Sequence, residues 1–415
     1  MTTAQFDPSG LIAAPLTPPP SKSDAHRALT LSALLGQAPR LSSGGKLPND
    51  ICVLRDGLAR LAGLGPQELD CADAGAPFRI LVTQAALRRG ESTLLSGTAR
   101  LGERPHGPLL EALERTLGPV GFAARWGGSP WPLAIRGIQA PAPLARFEVD
   151  GSQSSQFATS LLLGAAALHL LEARPWEVVL TGAPTSQGYL EITTRWLSRA
   201  GFRLETTGSR VAIVGFEEAQ LPPVPGDWSS IGYLALVAWR TGGSVRGVDL
   251  EAEHPDRELL RILEQAGLTW TPSREGLTVR GVPSSGISAD AARCPDLLPT
   301  LAALACVLPG PSRFENVSLL RAKESDRLQG MIDLVELAGG DSSLDGEVLE
   351  IHPGSIPPPE LRFDARGDHR MAMSAATLAV LLGRPLTLAG AEHVSKSFPG
   401  FWDELKHAGS SMTLR

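Results

Sequence analysis

The chain has 415 residues, of which 43% are hydrophobic and 20% are charged, and its net charge is −6. This length exceeds the usual size of a single hydrophobic core and predicts two domains, and the composition is typical of a globular protein. The acidic balance argues against nucleic acid as a partner. The sequence also has no apolar stretch of about 18 residues, so we expect no membrane partner.

The N-terminus and the cysteines indicate the compartment. The first ten residues, MTTAQFDPSG, lack a basic region followed by an apolar one, which argues against a secretory signal. The four cysteines are scattered and form no CxxC pair. This arrangement is typical neither of a disulfide framework nor of a structural zinc site. We therefore expect a reduced, cytoplasmic, soluble protein.

Six segments share one pattern, in which a short polar or glycine- and proline-containing element leads into an apolar, helix-like run. They begin at Ser21, Asp73, Asp150, Gly226, Cys294 and Asp368. Each is followed by a more amphipathic helix that ends in glycine, a common C-terminal stop signal. These second helices are ICVLRDGLARLAG, GPLLEALERTLG, LEITTRWLSRAG, RELLRILEQAG, RLQGMIDLVELAGG and FWDELKHAG.

Strand-like segments bounded by glycine lie between these helices. They are STLLSGTAR (92–100), WEVVLTG (176–182), RVAIVG (210–215), GLTVRGV (276–282) and EVLEIHPG (347–354). The pattern predicts six α/β units, three in each half, with the seam at the proline-rich AQLPPVPGDW (219–228). The alternative is an α/β protein without a true repeat, because polar caps before apolar helices are common.

Charged residues are concentrated at the starts of these helices and loops, where orphan backbone N–H groups form anion sites. Lysine is rare, with five residues against 33 arginines among the 38 basic residues, and three of the five lie in such positions. The candidate residues are Lys22, Ser23, Arg27, Arg104, Ser154, Ser155, Gln156, Asp296, Arg321, Lys323, Glu324, Asp326, Arg327, Arg370 and Lys396. Their simpler interpretation is a set of solvated surface ion pairs.

These residue types suit a small substrate rich in phosphate and carboxylate. Arginines grip planar anions through two hydrogen bonds, whereas lysines supply charge and protons. We interpret Glu324 and Asp296 as the only carboxylates embedded among these cations, and hence as the acid/base candidates. The sequence has no GxxxxGK[ST] loop and no GxGxxG after a strand, so ATP and NAD are not indicated. It also has no clustered His/Cys metal signature.

An ordered series of motifs resembles the enolpyruvyl transferase family over nearly the whole chain. The motifs are PSKSDAHRAL, DAGAPFR, RLGERP, DGSQSSQF, TSQGY, CPD, RAKESDR, DHRMAM and KSFPGFW. The resemblance implies an α/β fold of two similar domains, each of three βαβαββ units, an inside-out α/β barrel with a cleft between the domains. It places residues 1–15 plus 227–415 in the first domain and 16–226 in the second, with crossovers near 14–18 and 222–228.

The resemblance also implies a reaction. The enolpyruvyl group of phosphoenolpyruvate moves to the 5-hydroxyl of shikimate 3-phosphate and phosphate is released, by addition and elimination through a tetrahedral intermediate. The reaction belongs to chorismate and aromatic amino acid biosynthesis and needs no metal or organic cofactor. We expect a monomer that closes on its two small-molecule substrates.

Roles for individual residues follow from the same resemblance. Shikimate 3-phosphate would be bound by Lys22, Ser23, Arg27, Ser154, Ser155, Gln156, Ser186, Tyr189, Asp296 and Lys323. Phosphoenolpyruvate would be bound by Lys22, Gly75, Arg104, Gln156, Arg327, Arg370 and Lys396. Asp296 would take the proton of the attacking hydroxyl. Glu324, with Lys22 and Lys396, would manage proton transfer at the methylene carbon and the leaving phosphate.

The sequence departs from the family pattern at several positions. The usual NAGTxxRP is DAGAPFRI here, so Asp73 replaces asparagine, Ala76 replaces threonine and Ile80 replaces proline. We expect Arg79 or another cation to neutralise Asp73. TSQGY lacks the lysine of the usual SKPY, and Leu319 replaces an asparagine that contacts shikimate. The phosphoenolpyruvate pocket is therefore expected to be somewhat altered.

Two alternatives remain at this point. The related transferases that act on UDP-N-acetylglucosamine generally use a cysteine in a mobile loop of the first half, and residues 100–120 contain none. A catalytically silent relative that only binds phosphate ligands is the second alternative. His26 lies between Lys22 and Arg27 in sequence but receives no role, and we interpret it as a local structural residue.

Overall fold

The structure is a computed structural model that describes residues 2–41, 46–118, 132–139, 142–182, 187–252, 254–273 and 276–414. The chain divides into two compact units. Unit 1 contains the described residues of Met1–Ser21, Ser42–Pro48 and Pro225–Arg415, and unit 2 contains Lys22–Leu41 and the described residues of Asn49–Val224.

The strands of the described residues, numbered in chain order, are β1 (Thr3–Asp7), β2 (Pro15–Leu16), β3 (Gln67–Asp70), β4 (Ser92–Ser96), β5 (Leu133–Arg136), β6 (Arg146–Asp150), β7 (Trp176–Thr181), β8 (Phe202–Thr207), β9 (Arg210–Phe216), β10 (Ser244–Val245), β11 (Thr269–Ser273), β12 (Gly276–Arg280), β13 (Ser288–Asp290), β14 (Ser312–Glu315), β15 (Asp341–Asp345), β16 (Val348–His352), β17 (Leu361–Asp364), β18 (Leu386–Ala389) and β19 (Ser411–Leu414).

The helices are α1 (Lys22–Leu35), α2 (Asn49–Leu61), α3 (Gly75–Ala86), α4 (Ala99–Glu103), α5 (Gly107–Leu117), α6 (Ser155–Glu172), α7 (Gln187–Arg199), α8 (Trp228–Thr241), α9 (Glu258–Gln265), α10 (Leu298–Ala305), α11 (Arg327–Leu337), α12 (His369–Leu382) and α13 (Phe401–His407). Short 3₁₀ turns lie at Pro255–Arg257, Val317–Leu320 and Ala391–Lys396.

The sheets repeat one pairing pattern. In β6-β7-β9-β8 and in β13-β14-β16-β15, the first pair is parallel and the next two pairs are antiparallel. The described strands of β3-β4-β5 follow the same order of one parallel and one antiparallel pair. A parallel strand pair needs a crossover connection, which α3, α6 and α10 provide. The predicted α/β repeat is therefore confirmed.

The remaining units borrow strands from distant parts of the chain. The N-terminal β1 pairs with β18 and β19, which completes the sheet β17-β18-β1-β19. The short β2 pairs in parallel with β10 and so opens the sheet β11-β12-β10-β2. In unit 2 the matching parallel pair is a single bridge between Leu41 and Val224. The pattern thus accounts for six units, with exchanged strands at the two chain crossovers.

Residues 16–21, 46–48 and 225–226 lie in unit 1, whereas the resemblance placed them in the second domain. For residues 16–21 the backbone explains the difference, because it pairs with residues 225–227. Ser21 donates its N–H to the carbonyl of Pro225 at 2.7 Å, and Asp227 donates its N–H to Pro19 at 2.9 Å. Both partners belong to unit 1. The change from unit 1 to unit 2 therefore occurs directly before Lys22.

All six predicted apolar runs form helices, namely α1, α3, α6, α8, α10 and α12. They are buried on nearly all sides, as in α12, where every residue from His369 to Leu381 is buried. The six amphipathic segments form α2, α5, α7, α9, α11 and α13. One strand prediction was too long: STLLSGTAR is a strand only to Ser96, because Thr98 caps α4 by accepting the backbone N–H of Leu101. In the described ranges, the helices are too short or too polar to cross a membrane.

Candidate active site

Arg327 is the centre of a buried charged cluster in unit 1. It is the first residue of α11 and is 1% exposed. Its Nε lies 2.8 Å from Asp368, its Nη1 lies 2.9 Å from Asp296, and its Nη2 lies 2.7 Å from Glu324. Burial alone would lower the pKa of the guanidinium, but the three carboxylates raise it above its usual value. Arg327 therefore stays charged and binds three carboxylates at once.

Asp368 joins the starts of two helices. It is fully buried and is the N-cap of α12, where its Oδ1 accepts the backbone N–H of Arg370 at 2.8 Å. Its Oδ2 accepts hydrogen bonds from Arg327 and, at 3.1 Å, from the Ser325 hydroxyl. An aspartate is favoured at an N-cap because it satisfies an orphan N–H and lies at the positive end of the helix dipole. The same side chain therefore orders Arg327 and the backbone of Arg370.

Asp296 lies between two arginines. Its Oδ1 accepts from Arg327, and its Oδ2 accepts from Nη2 of Arg370 at 2.7 Å. The Asp296 side chain is 24% exposed, whereas both guanidinium groups are almost fully buried. The carboxylate is thus the accessible member of this group. Hydrogen bonds of this kind, between ionised groups, are short and strong, so they fix the orientation of the carboxylate.

Glu324 connects the cluster to Lys396. Its Oε2 accepts from Arg327, and its Oε1 lies 4.0 Å from the Lys396 ammonium. Lys396 ends the 3₁₀ turn Ala391–Lys396 and is 4% exposed. Together with Arg370, these side chains make three cations and three carboxylates, so the formal charges of this cluster balance. The cluster is defined as Arg327, Arg370, Lys396, Asp296, Glu324 and Asp368, and we call it the unit 1 cluster.

Lys22 forms an ion pair in unit 2. It is the first residue of α1, and its Nζ lies 3.1 Å from Oδ2 of Asp50, in the first turn of α2. The Asp50 side chain is 4% exposed and that of Lys22 is 16% exposed. A cation at a helix start is disfavoured by the helix dipole, and Asp50 compensates for that cost. The ammonium of Lys22 remains the accessible partner.

The Arg27 guanidinium is hydrogen-bonded to other residues of the protein. The residue is 5% exposed, and burial lowers the pKa of its guanidinium to about 10. Four hydrogen bonds hold it, to the carbonyls of Ser23 and Tyr189 and to the hydroxyls of Thr159 and Thr193, at 2.6 to 3.1 Å. These bonds join α1 to α6 and α7. The predicted contact of Arg27 with shikimate 3-phosphate stays a prediction, and its observed contacts are structural.

Arg79 organises the start of α6. Its Nη1 donates to Oε1 of Gln156 at 2.5 Å and approaches the Ser154 hydroxyl at 3.4 Å. Its Nη2 donates to the carbonyl of Pro105 at 2.8 Å, and the guanidinium lies over the ring of Phe157. Ser154 is itself the N-cap of α6, since it accepts the backbone N–H of Gln156. Arg79 therefore holds Ser154 and Gln156, two predicted binding residues, at the start of α6.

Gly75 and Arg104 are in direct contact. A Cβ atom placed on Gly75 would lie 2.3 Å from Nη1 of Arg104 and 2.7 Å from its Cζ. Gly75 is the first residue of α3, and Arg104 ends α4 as its C-cap. The expectation was a close approach of the ligand to the Gly75 backbone, and the observed close neighbour is the guanidinium. A side chain at position 75 would therefore require the Arg104 guanidinium to move.

The other predicted residues are less closely connected. The backbone carbonyls of Ser23 and Tyr189 accept hydrogen bonds from the Arg27 guanidinium. Ser155, the first residue of α6, and Lys323, which precedes α11, are half-buried. Asp73 is half-buried before α3, and its neutralisation by Arg79 or another cation stays a prediction. Ser186 lies outside the described residues.

Two carboxylates were missed by the sequence reading. The interpretation that Glu324 and Asp296 are the only carboxylates among the cations was wrong, because Asp368 and Asp50 bind Arg327 and Lys22 directly. The DHR motif contained a usable signal, since an aspartate before an apolar helix is a typical N-cap. Asp50 follows Asn49 at the start of an amphipathic run, but its pairing with Lys22 depends on how α1 and α2 pack.

Comparisons with known proteins agree on one family. Residues 46–405 match the family model described as EPSP synthase (3-phosphoshikimate 1-carboxyvinyltransferase). A 3-phosphoshikimate 1-carboxyvinyltransferase of Methanopyrus kandleri is 34% identical, over 94% of this chain and 95% of the relative. A relative of the same name from Halorubrum lacusprofundi is 32% identical, over 99% of this chain and 92% of its own.

Solved structures show the same fold. An EPSP synthase from Acinetobacter baumannii superimposes with a TM-score of 0.75 at 20% identity, covering 100% of both chains. The enolpyruvyl transferase NikO from Streptomyces tendae superimposes with a TM-score of 0.69 at 13% identity, covering 100% of this chain and 98% of its own. At these identities the likeness concerns the fold, and it confirms the predicted enolpyruvyl transferase architecture.

Proposed function

The chain belongs to the EPSP synthase (3-phosphoshikimate 1-carboxyvinyltransferase) family, and we propose that the residues described above carry out the reaction of that family. As a transferase of this family, the protein moves the enolpyruvyl group of phosphoenolpyruvate to the 5-hydroxyl of shikimate 3-phosphate and releases phosphate. The family comparison favours this acceptor over UDP-N-acetylglucosamine, and favours an active enzyme over a silent one.

One observation carries the assignment of roles. The two carboxylates proposed for acid/base chemistry, Asp296 and Glu324, both bind the same buried guanidinium, that of Arg327. Several carboxylates hold this guanidinium in place, so it does not have to reorient when charge develops beside it. Electrostatic catalysis requires groups that are ordered in this way before the reaction. The unit 1 cluster therefore combines proton acceptors with the cations that an anionic intermediate requires.

In the addition step, Asp296 takes the proton of the 5-hydroxyl as its oxygen forms a bond to the central carbon of phosphoenolpyruvate. The methylene carbon is protonated in the same step, which gives the tetrahedral intermediate. Glu324, assisted by Lys22 and Lys396, donates this proton. In the elimination step, the methyl group loses a proton to the Glu324 carboxylate, and the phosphate leaves with the electrons of its bond to carbon. The cations stabilise the negative charge on that phosphate.

Binding roles divide by the type of anion. We assign phosphoenolpyruvate to the cations Lys22, Arg104, Arg327, Arg370 and Lys396, with Gln156 and the backbone of Gly75. We assign shikimate 3-phosphate to Lys22, Ser23, Arg27, Ser154, Ser155, Gln156, Ser186, Tyr189, Asp296 and Lys323. Binding of an anion to Arg370 competes with its hydrogen bond to Asp296, so phosphoenolpyruvate binding frees Oδ2 of that carboxylate to accept another hydrogen bond.

The acceptor is tested by phosphate release from the purified protein. Phosphoenolpyruvate is supplied with either shikimate 3-phosphate or UDP-N-acetylglucosamine, and inorganic phosphate is measured over time. We expect release that depends on shikimate 3-phosphate alone. Release with UDP-N-acetylglucosamine alone would assign the chain to the other acceptor, and no release with either would indicate a silent protein. We further propose that the enzyme is cytoplasmic and acts as a monomer. Light scattering of the purified protein gives its molar mass and so tests the monomer.

A further inference from the structure

Arg79 is a buried arginine beside the predicted binding residues, and the proposed reaction gives it no role. It lies on α3, in unit 2, and is 2% exposed. Its backbone carbonyl accepts a hydrogen bond of 2.7 Å from the hydroxyl of Ser160, on α6. Arginine is rarely buried to this extent unless its N–H groups are bonded, because burial removes the guanidinium from water.

The Arg79 guanidinium uses both of its terminal nitrogens. Nη1 donates to Oε1 of Gln156 at 2.5 Å, and Nη2 donates to the carbonyl of Pro105 at 2.8 Å. Its Cζ lies over the ring of Phe157, 4.8 Å from the centroid. Hydrogen bonds from a charged donor and stacking on an aromatic ring both fix a guanidinium in place. Arg79 is therefore held firmly and is too deeply buried to meet a substrate itself.

These contacts decide which end of the Gln156 amide faces Arg79. A guanidinium has five N–H donors and no acceptor, so the atom that it binds must be the amide oxygen. The amide nitrogen then points away from Arg79, and it forms no hydrogen bond to any residue that the structure describes. Gln156 is half-buried. It therefore presents the two N–H donors of its amide to a ligand, while its oxygen is bound to Arg79.

We propose that Arg79 is a positioning residue for Gln156, which holds the amide oxygen so that the amide nitrogen donates hydrogen bonds to the anionic oxygens of the substrates. A free glutamine amide takes either orientation, because the last torsion of its side chain is broad and roughly two-fold. The reversed orientation would present a carbonyl oxygen to a phosphate or carboxylate and repel it. Arg79 excludes that orientation before a substrate binds. The inference rests on the proposed role of Gln156 in binding the substrates.

Arg79→Met tests this role, because methionine keeps an unbranched side chain but has no N–H to donate. We expect KM for shikimate 3-phosphate to rise about tenfold, the scale of one hydrogen bond to a charged group. This substrate is the suitable one, because Pro105 adjoins Arg104, which is assigned to phosphoenolpyruvate alone.

Arg88→Met is the matched control. The Arg88 guanidinium also donates to backbone carbonyls of unit 2, at 2.7 and 2.9 Å, but it contacts none of the proposed binding residues. Its substitution should leave KM for shikimate 3-phosphate near that of wild type. An equal rise in KM for Arg79→Met and Arg88→Met would overturn the inference, because any lost guanidinium would then have the same effect.

A double-mutant cycle separates orientation of the amide from general packing. In a Gln156→Ala background, Arg79→Met should change KM for shikimate 3-phosphate by less than about twofold, because the amide on which Arg79 acts is gone. A rise that persists at full size in that background would overturn the inference. A wild-type KM in Gln156→Ala alone would overturn the role of Gln156, and the inference with it.

A measurement on the wild-type chain covers variants that do not fold. Labelling with ¹⁵N gives signals for backbone and side-chain amides, and Gln156 is identified by the side-chain signal missing from Gln156→Glu, which keeps an acceptor for Arg79. On saturation with shikimate 3-phosphate we expect an amide proton of Gln156 to shift downfield, because an anionic oxygen accepts it. Shifts of backbone amides without one at the Gln156 side chain would overturn the inference. No shift at any signal would overturn the proposed function, on which the inference rests.

Discussion

The carboxylate of Asp368 accepts a hydrogen bond of 2.8 Å from Nε of Arg327, and the side chains of both residues are at most 1% exposed. Removing one partner of a buried ion pair is costly, because it leaves the other charge uncompensated. Asp368 also caps α12. These two roles can be separated, since asparagine caps a helix about as well as aspartate does.

Asp368→Asn should therefore weaken phosphoenolpyruvate binding, while α12 keeps a side chain that can cap it. We expect KM for phosphoenolpyruvate to rise about tenfold and the free energy of unfolding to fall by about 3 kcal/mol, the usual cost of breaking a buried pair. Steady-state kinetics and denaturant unfolding measure the two effects.

Asp227→Asn is the matched control for this substitution. Asp227 is also a buried N-cap aspartate, for α8, but its carboxylate accepts from the N–H and hydroxyl of Ser230 rather than from an arginine. In Asp227→Asn, KM for phosphoenolpyruvate should stay near that of wild type. Equal kinetic effects of the two substitutions would show that the cap, and not the Arg327 pair, matters.

Gly75→Ala should displace Arg104, because the new Cβ would lie 2.3 Å from its Nη1. We expect KM for phosphoenolpyruvate to rise about tenfold, as for one lost charge-assisted hydrogen bond, while KM for shikimate 3-phosphate stays within about twofold. Gly107→Ala is the control, since that helix-start glycine has only the Glu111 carboxylate nearby, at 3.8 Å. A wild-type KM in Gly75→Ala would show that Arg104 can move without loss of binding.

Arg27→Lys should reduce stability before it reduces binding. Lysine cannot make the four hydrogen bonds by which the guanidinium joins α1, α6 and α7. We expect a loss of about 3 kcal/mol in the free energy of unfolding, as for a buried hydrogen-bond network. Arg55→Lys is the control, because Arg55 is an exposed arginine of the same unit that pairs with its neighbour Asp56. An unchanged unfolding midpoint with a raised KM for shikimate 3-phosphate would show that Arg27 acts in substrate binding alone and not in joining the helices.

Acid should destabilise unit 2 through two buried histidines. Burial lowers the pKa of both His26 and His106 to about 3, whereas an unfolded histidine titrates near its ordinary value. Below that ordinary pKa the two imidazoles are protonated in the unfolded chain but not in the folded chain. The free energy of unfolding therefore falls as the pH falls from about 6.5 toward 3. At pH 5 the loss is about 2 kcal/mol for each imidazole.

Denaturant unfolding between pH 7 and pH 5 measures this loss, and His106→Gln should remove about half of the slope that the two histidines contribute. His106 is suitable for this purpose because it packs against Phe78, bonds the carbonyl of Leu101 and has no proposed role in the reaction. A slope that is the same in the variant would show that the folded protein admits the proton at this position.

Local patterns in the sequence were sufficient for most of the fold. The six apolar helices and their amphipathic partners were predicted because polar starts, apolar runs and terminal glycines are local signals. The pairing of β1 with β18 and of β2 with β10 has no such signal, because it joins residues more than 200 positions apart. The assignment of residues 16–21 to unit 1 depends on the same long-range pairing.

The candidate site shows the same division between local and long-range information. Motifs identified the cations and the acid/base carboxylates, and the structure groups Asp296, Glu324, Arg327, Arg370 and Lys396 as one cluster. The partners that hold those cations were not predicted, because ion pairing is decided by helix packing. The contact between Gly75 and Arg104 was likewise beyond the sequence, since it depends on the turn that follows α4.

The central claim is that Glu324 takes part in proton transfer within the unit 1 cluster, and Glu324→Gln tests it most directly. Phosphate release with both substrates should fall about 10²- to 10⁴-fold in kcat, the usual contribution of a general acid or base. Glu347→Gln, an exposed glutamate of the same unit bonded to Ser318, serves as the control and should keep wild-type kcat. A Glu324→Gln enzyme that releases phosphate at the wild-type rate would contradict the account.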